Sequence, residues 1–165
     1  MLNTIIDKIK LLDKKRNLEL PVFITNKDTP DLLVEADIVG KNLDDITDIK
    51  TIRLLSSDIA VFNDYAFRYY FFQFIEKYIQ NRESVFIDMF MYAFFEDREN
   101  RFFHFKKEEF EIIKLFLEYA LFEIEQMHKR NSLDGLTEQD FEYAEGHICD
   151  FMDFEEEIKI ALEKF

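Results

Sequence analysis

Apolar residues recur at helical spacing along much of the chain. In residues 4–15, Ile5, Ile9 and Leu12 are separated by four and three positions, which predicts a short amphipathic helix. Residues 106–127 show the same pattern over a longer stretch, with apolar residues on one face and charged residues on the other. This stretch is the clearest helix that the sequence predicts.

The stretch 64–81 is dominated by aromatic residues, so a strand must be weighed against a helix, because aromatic side chains favour sheets. Its polar residues decide for a helix, since they fall at intervals of three, one and three and so form one narrow stripe. They are Gln73, Glu76, Lys77 and Gln80. A helix that is apolar around most of its circumference is expected to be central, with other helices around it.

Two further segments complete the helical prediction. Residues 84–95 are again aromatic, and Ser84 is expected to be the N-cap of their helix. Near the C-terminus, residues 137–140 have the form of a capping box, and apolar residues then recur at three and four positions over 141–165. This predicts one long C-terminal helix, which Gly146 could bend.

Residues 17–50 have the least regular pattern and contain both prolines and Gly40. We expect a loop-rich segment here, with Leu20–Thr25 as a short strand and Leu32–Val39 as either a short strand or a helix. The expected fold is all-α: a single compact domain over residues 1–165, with five or six helices and this loop-rich N-terminal segment packed across it.

Composition supports this class. The chain has 165 residues with only 3 Gly and 2 Pro, whereas a sandwich or barrel needs a turn residue every 8–12 positions or so. Hydrophobic residues make up 48%, and 20 residues are Phe, which excludes a disordered chain. A chain of this length can bury a sizeable core without disulfides.

Several features favour a soluble cytoplasmic protein. The single Cys149 excludes an intramolecular disulfide. The first fifteen residues mix Lys and Asp into their apolar positions and lack the apolar core of a secretory signal. Uncharged runs are far shorter than the ~18 residues that a membrane-spanning helix needs, so no membrane association is expected.

Charge gives the most specific indication of function. The net charge of −14 argues against direct binding to nucleic acid or anionic lipid, since both need Lys and Arg to neutralise phosphate. The excess is uneven: residues 28–64 carry −6 and residues 131–165 carry −9, while residues 65–130 carry only −2. Such density exceeds what solubility needs.

We therefore expect the acidic segments to bind a strongly basic protein partner. The expected partner-binding residues are Glu142, Asp150, Asp153, Glu156 and Glu157, with Asp44, Asp45 and Asp48 as a second patch. The plainer alternative is a solvated face that keeps a Phe-rich protein soluble.

Candidate catalytic and metal-binding patterns are weak. Glu125 and His128 have the Glu-x-x-His spacing of di-iron bundles. Such a site needs a second pair of this kind, but neither His104 nor His147 has a Glu three residues before it. Cys149 lies in an acidic stretch, which would raise its pKa, so a buried inert thiol is expected. We therefore expect no catalytic residue, no cofactor and no metal ligand, and a protein that is not an enzyme.

Arg68 and Asp88 are each the lone charge in their part of an aromatic helix. Burying either one unpaired would cost several kcal/mol. We expect them to pair with each other or with nearby helix ends.

Two aromatic motifs carry a resemblance. The run Asp64-Tyr-Ala-Phe-Arg-Tyr-Tyr is followed some forty residues later by Phe116-Leu-Glu-Tyr119. This resembles an uncharacterised bacterial family that has an aromatic Phe-Arg-Tyr-Tyr helix and a later Phe-Leu-Glu-Tyr helix, over residues 51–123. The Leu-Pro that often follows Arg-Tyr-Tyr in that family is replaced here by Phe71 and Phe72.

Small acidic all-helical proteins of this kind are similar to immunity proteins of bacterial toxin systems, including contact-dependent inhibition. The likeness implies a protein that binds and neutralises a cognate basic toxin, which could be a nuclease. Two alternatives stay open: a helical enzyme with carboxylate metal ligands, and a structural or adaptor protein that dimerises through exposed Phe.

Overall fold

The structure, a computed structural model, describes residues 1–16, 18–25, 30–96, 105–131 and 150–165. These ranges contain seven α-helices and no strand. The helices are α1 (Leu2–Arg16), α2 (Leu32–Ile38), α3 (Ile49–Ser57), α4 (Asp64–Gln80), α5 (Ile87–Glu96), α6 (Lys107–Asn131) and α7 (Glu155–Leu162). The expected all-α class is confirmed for this part of the chain, with more helices than the five or six expected.

The chain divides into two compact units, Met1–Ile112 and Ile113–Phe165, with the boundary inside α6. The core of the first unit is α4, whose buried side chains include Phe67, Phe71 and Phe74. Phe71 lies against rings of other segments, with ring centres 4.9 Å from Phe90 and 5.8 Å from Phe105. The aromatic stretch is thus a central helix, as its pattern predicts.

Both ends of α4 are set by polar side chains. Asn63 begins it, because its Oδ1 accepts a hydrogen bond from the Ala66 N–H at 2.9 Å. The expectation that Ser84 begins α5 is wrong. The Ser84 hydroxyl instead donates to the carbonyl oxygens of Asn81 and Lys77, at 2.6 and 3.2 Å, and so satisfies acceptors at the end of α4.

Part of the segment expected to be loop-rich is helical. Leu32–Val39, for which strand or helix stayed open, contains α2, and Asp31 caps it by accepting from the N–H groups of Leu33 and Val34. The strand expected at Leu20–Thr25 is wrong. Its backbone N–H groups at Ile24 and Thr25 donate to the Glu35 carboxylate, at 2.7–3.1 Å, rather than to another strand.

The second unit contains the rest of α6 and the C-terminal α7. Phe151 is buried, with its ring edge-on to Phe116 and Tyr119 at 5.8 and 6.1 Å between centres. The expected continuous C-terminal helix is wrong at its described part, because residues 150–154 form a turn and a 3-10 segment before α7 begins. The capping box at 137–140 and Gly146 lie outside the described residues.

The described helices range from seven residues in α2 to 25 residues in α6. None of them combines the length and the apolar character that crossing a membrane requires.

Candidate functional site

A polar cleft of about 310 Å³ lies in the first unit, between the end of α1, the turn at residues 42–45 and one face of α4. Four carboxylates line it: Asp13, Asp44, Asp45 and Glu76. We call this the acidic cleft. Its α4 wall consists of residues at intervals of four, three and one, so they fall on one side of the helix: Tyr69, Gln73, Glu76 and Lys77. Gln73, Glu76 and Lys77 belong to the polar stripe of this helix, so most of that stripe lines the cleft.

The turn at residues 42–45 is held in place by α4. The Gln73 Oε1 accepts from the Leu43 N–H at 3.0 Å, and the Tyr69 hydroxyl donates to Asn42 Oδ1 at 2.5 Å. Leu43 is buried, which anchors the turn in the core. Gly40, with φ of +73°, allows the chain to reverse after α2 and enter this turn.

Two acidic side chains of this turn line the cleft, and each has a different bonding partner. Asp44 pairs with Lys77, with Oδ1 and Nζ 2.6 Å apart, yet its side chain remains 86% exposed. Asp45 accepts from the Asn42 N–H at 2.8 Å. Both carboxylates therefore keep lone pairs that face solvent and remain open to another cation.

Glu76 is the most enclosed of the four carboxylates, whereas the Asp13 side chain is 42% exposed. Burial raises the pKa of Glu76, whose side chain is 16% exposed, and the nearby Asp44 and Asp13 raise it further. Its counter-charge is Lys10, with Nζ 3.7 Å from Oε1. Burial also raises the pKa of Asp13, although Arg16 opposes the shift. Burial thus disfavours the charged form of both carboxyl groups.

A buried ion cluster lies behind the cleft. Arg68 donates to both oxygens of Glu109, with Nε–Oε1 and Nη2–Oε2 distances of 3.1 and 2.9 Å. Arg16, which lines the cleft, has its Nε 3.2 Å from the same Oε1, and also donates to the Arg68 carbonyl oxygen. The Arg16 and Glu109 side chains are 5% and 1% exposed. We call these three residues the Arg–Glu–Arg cluster.

Burial lowers the pKa of Arg16, and the proximity of Arg68 adds to this, while Glu109 and Asp13 oppose it. Two guanidinium groups share the one buried carboxylate of Glu109, which leaves an excess of positive charge. Asp13 offsets part of this charge, because its Oδ1 lies 3.7 Å from Arg16 Nη1. The cluster fixes the position of Arg16 and, through it, the base of the cleft.

The pairing of Arg68 with Asp88 is wrong, because Arg68 pairs with Glu109 in the first turn of α6. Asp88 is exposed in the first turn of α5, where a negative charge is favoured by the helix dipole. A signal for Glu109 did exist in the sequence. It lies three, four and seven positions before apolar residues of α6, so it falls on the buried face of that helix.

The residues expected to bind a partner lie in several places. Asp44 and Asp45 line the acidic cleft, whereas Asp48 caps α3 by accepting from the N–H groups of Lys50 and Thr51. The Thr51 hydroxyl also donates to Asp48, and this bond is the main reason that the pKa of Asp48 is lowered. Asp48 therefore has a structural task that the charge pattern did not indicate.

The C-terminal set lies in the second unit. Asp150, Asp153, Glu156 and Glu157 are exposed, and Glu142 lies outside the described residues. Among the described residues, the side chains of Asp153, Glu156 and Glu157 accept no hydrogen bond and form no ion pair. They begin α7 or directly precede it, where the helix dipole favours negative charge.

His128 of the Glu-x-x-His pair contacts Glu155, which belongs to the same second unit. His128 Nε2 lies 2.7 Å from Glu155 Oε2, and Lys159 pairs with the same carboxylate. Hydrogen bonds from Lys159 and His128 lower the pKa of Glu155. Over the described ranges, no three His, Cys, Asp or Glu side chains are grouped to hold a metal ion. His104, His147 and Cys149 lie outside those ranges.

Replacing Glu76 by Gln is expected to raise the thermal stability at pH 7. A carboxyl group whose pKa is raised by folding opposes folding when ionised, fully above its folded pKa and not at all below its ordinary value of 4.5. The advantage of Glu76→Gln should therefore shrink as the pH falls toward 4.5. Thermal unfolding of both proteins, followed by circular dichroism at several pH values, measures this difference.

Lys10→Met is the matched control for Glu76→Gln, because it breaks the same ion pair but leaves the carboxylate in place. It should lower the stability at pH 7 or leave it unchanged. If Glu76→Gln lowered the stability at neutral pH, the ion pair with Lys10 would outweigh the burial of Glu76, and this description of the cleft would be wrong.

Comparison with protein-family models, curated proteins and solved structures finds no match to this chain. The binding properties of the protein therefore follow from its own cleft and surface.

Proposed function

We propose that the protein is an immunity-type inhibitor, acting in the cytoplasm, that binds a strongly basic toxin domain through the acidic cleft. The observation that carries the proposal is the state of Asp13 and Glu76. Burial raises the pKa of both, and Asp44 raises each further. A cation from a partner would lower the cost of keeping these carboxylates ionised, and the free energy released would contribute to binding.

The size and lining of the cleft support a Lys or Arg side chain as the group that enters it. A volume of about 310 Å³ admits a single extended side chain. The carboxylates Asp44 and Asp45 are exposed at the turn, and the lining also includes neutral polar groups of Asn42 and Gln73. Lys77, which lines the cleft as well, is neutralised by its ion pair with Asp44. The positive charge at Arg16 is offset by Glu109 and Asp13, so it does not repel an entering cation strongly.

The total charge supports rapid association with such a partner. A chain at −14 steers a basic protein toward it over a distance of about the Debye length, which is ~8 Å at physiological salt. A nuclease domain is one suitable partner class, because its substrate-binding surface must itself be basic. Covering that surface would block the substrate.

The double charge reversal Asp44→Lys with Asp45→Lys is expected to weaken binding to the toxin at least about tenfold and to abolish protection. The candidate toxins are products of neighbouring reading frames that carry a basic C-terminal domain. Each is expressed alone and together with this protein, and growth is recorded. One of them should inhibit growth, and the wild-type protein, but not the double variant, should restore it.

Asp37→Lys with Glu83→Lys is the matched control, since it makes the same change of charge at exposed carboxylates of the same unit outside the cleft. It should retain most of the protection. The proposal is wrong if binding proves insensitive both to salt and to reversal at Asp44 and Asp45. If reversal at Asp153, Glu156 and Glu157 alone abolishes binding, the interface lies in the second unit and the cleft is not used.

A further inference from the structure

An apolar groove of about 800 Å³ lies in the first unit, between residues 19–25 and residues 60–65. Its exposed apolar side chains are Leu20, Val22, Phe23, Val61 and Tyr65. Val22 is the most exposed of them, at 75%. We call this the apolar groove. Exposed apolar side chains that line one groove mark an interaction site more often than exposed apolar residues scattered singly do.

The wall at residues 18–25 is held rigidly although it forms no regular element. The Glu35 carboxylate accepts from the Ile24 N–H, the Thr25 N–H and the Thr25 hydroxyl, at 2.7–3.1 Å. Buried Ile24 and Thr25 therefore lock the segment inward, while their neighbours Val22 and Phe23 point outward.

A second set of bonds joins the two walls. The Asn63 N–H donates to the Ile24 carbonyl oxygen at 2.6 Å, and its Nδ2 donates to the carbonyl oxygens of Phe23 and Thr25, at 2.7 and 3.1 Å. The Tyr65 hydroxyl donates to the Glu19 carbonyl oxygen at 2.7 Å. The groove is thus formed before any ligand arrives, so that binding to it costs little conformational entropy.

Charge decides what kind of segment the groove fits. Of the described residues that line it, two are acidic, Glu19 and Asp64, and none is basic. Both are exposed, and neither forms an ion pair with any described residue. An apolar floor with two unpaired carboxylates at its edges is complementary to an apolar side chain that has Lys or Arg beside it.

We propose that the apolar groove binds a segment of the basic partner in which an apolar side chain is flanked by Lys or Arg. The apolar side chain contacts Val22, Phe23 and Val61, and the flanking cations pair with Glu19 and Asp64. This inference rests on the proposed basic partner. It adds an apolar contact to an interface that the acidic cleft alone would make by charge, and apolar contacts in pre-formed pockets carry much of the affinity of protein interfaces.

The test uses three short synthetic peptides with blocked ends: Lys-Ser-Leu-Ser-Lys, Glu-Ser-Leu-Ser-Glu and Lys-Ser-Ser-Ser-Lys. Each is titrated into the isotope-labelled protein, and backbone amide signals are followed by NMR. The first peptide should shift the signals of Val22, Val61 and Tyr65. The other two should bind at least about tenfold more weakly, because each lacks one of the two complementary features.

Val22→Asp separates groove binding from general attraction to an acidic protein. It adds a negative charge, so it would strengthen binding that depended on charge alone, whereas it should weaken binding in the groove about tenfold. Val22 is exposed, so the core is untouched. Leu33→Asp is the matched control, with the same change of charge at a residue 81% exposed outside the groove, and it should bind the peptide as the wild type does.

The proposal is overturned if the Lys-Ser-Leu-Ser-Lys peptide shifts no groove signal, if the three peptides bind alike, or if Val22→Asp binds as well as Leu33→Asp. It is also overturned if light scattering shows self-association that Val22→Asp abolishes, since the occupant would then be a second copy of the chain. No toxin is used here, so these outcomes are independent of the growth experiment, which can fail or succeed separately.

Discussion

Replacing Glu109 by Ala is expected to lower the free energy of unfolding by about 3–5 kcal/mol, because the buried Arg16 guanidinium and the partly buried Arg68 guanidinium lose their shared counter-charge. Glu109 receives two hydrogen bonds from Arg68 and lies 3.2 Å from Arg16 Nε. Its Oε2 also accepts from the Lys106 N–H at 2.7 Å, which satisfies a donor at the start of α6. Urea unfolding followed by circular dichroism measures the loss.

Glu108→Ala is the matched control, because Glu108 lies in the same first turn of α6 but is exposed. It loses the same favourable interaction with the helix dipole and should cost less than about 1 kcal/mol. If Glu109→Ala does not fold, Glu109→Gln keeps the shape and one acceptor and should still lose more than Glu108→Ala. Equal losses for the substitutions at 108 and 109 would contradict the description of the cluster.

The triple variant Arg16→Met, Glu109→Leu and Arg68→Met tests whether the whole Arg–Glu–Arg cluster contributes to net stability. Replacing a whole buried ion cluster by apolar residues of similar size is often neutral or stabilising. We expect this variant to be stable and yet to have a changed acidic cleft, since Arg16 lines the cleft and Asp13 would lose its nearest cation. Urea unfolding of this variant beside the wild type measures the change in stability.

The sequence predicted the helices with strong apolar periodicity. The pattern at residues 4–15, 64–81 and 106–127 corresponds to α1, α4 and α6, because each of these helices buries one face or most of its circumference. The short α2 was left between strand and helix, since seven residues are too few for a period to show. Its helical state is decided by the Asp31 cap and by the bonds of Glu35 to residues distant in the chain.

The sequence predicted only those residues of the candidate site that lie close together in one acidic stretch of the chain. Asp44 and Asp45 follow one another in an acidic segment, and both line the cleft. Their companions Asp13 and Glu76 belong to α1 and α4, where single acidic residues on amphipathic helices are ordinary. Only the packing of α1 beside α4 brings them together. A local sequence pattern cannot indicate that two residues some sixty positions apart lie in the same cleft.

The apolar groove was missed for a related reason. Leu20–Thr25 is a short run rich in β-branched and aromatic residues and so favours a strand. In the structure only Ile24 of its Leu, Val and Ile residues is buried, because Glu35 and Asn63 take up the backbone groups that a neighbouring strand would have used. The same bonds that prevent a strand also turn Val22 outward. An exposed apolar surface thus follows from polar side chains that the apolar pattern cannot reveal.

Replacing Phe71 by Ala is expected to cost about 3–5 kcal/mol, because the ring fills the centre of the first unit and its removal leaves a cavity. Phe71 is 1% exposed and stacks on Phe90 and Phe94, with ring centres 4.9 and 5.6 Å away. Phe122→Ala, at an exposed ring of α6, is the matched control and should change stability by less than about 0.5 kcal/mol. Chemical unfolding decides the matter: a loss below about 1 kcal/mol for Phe71→Ala would mean that the aromatic residues of α4 do not form the core.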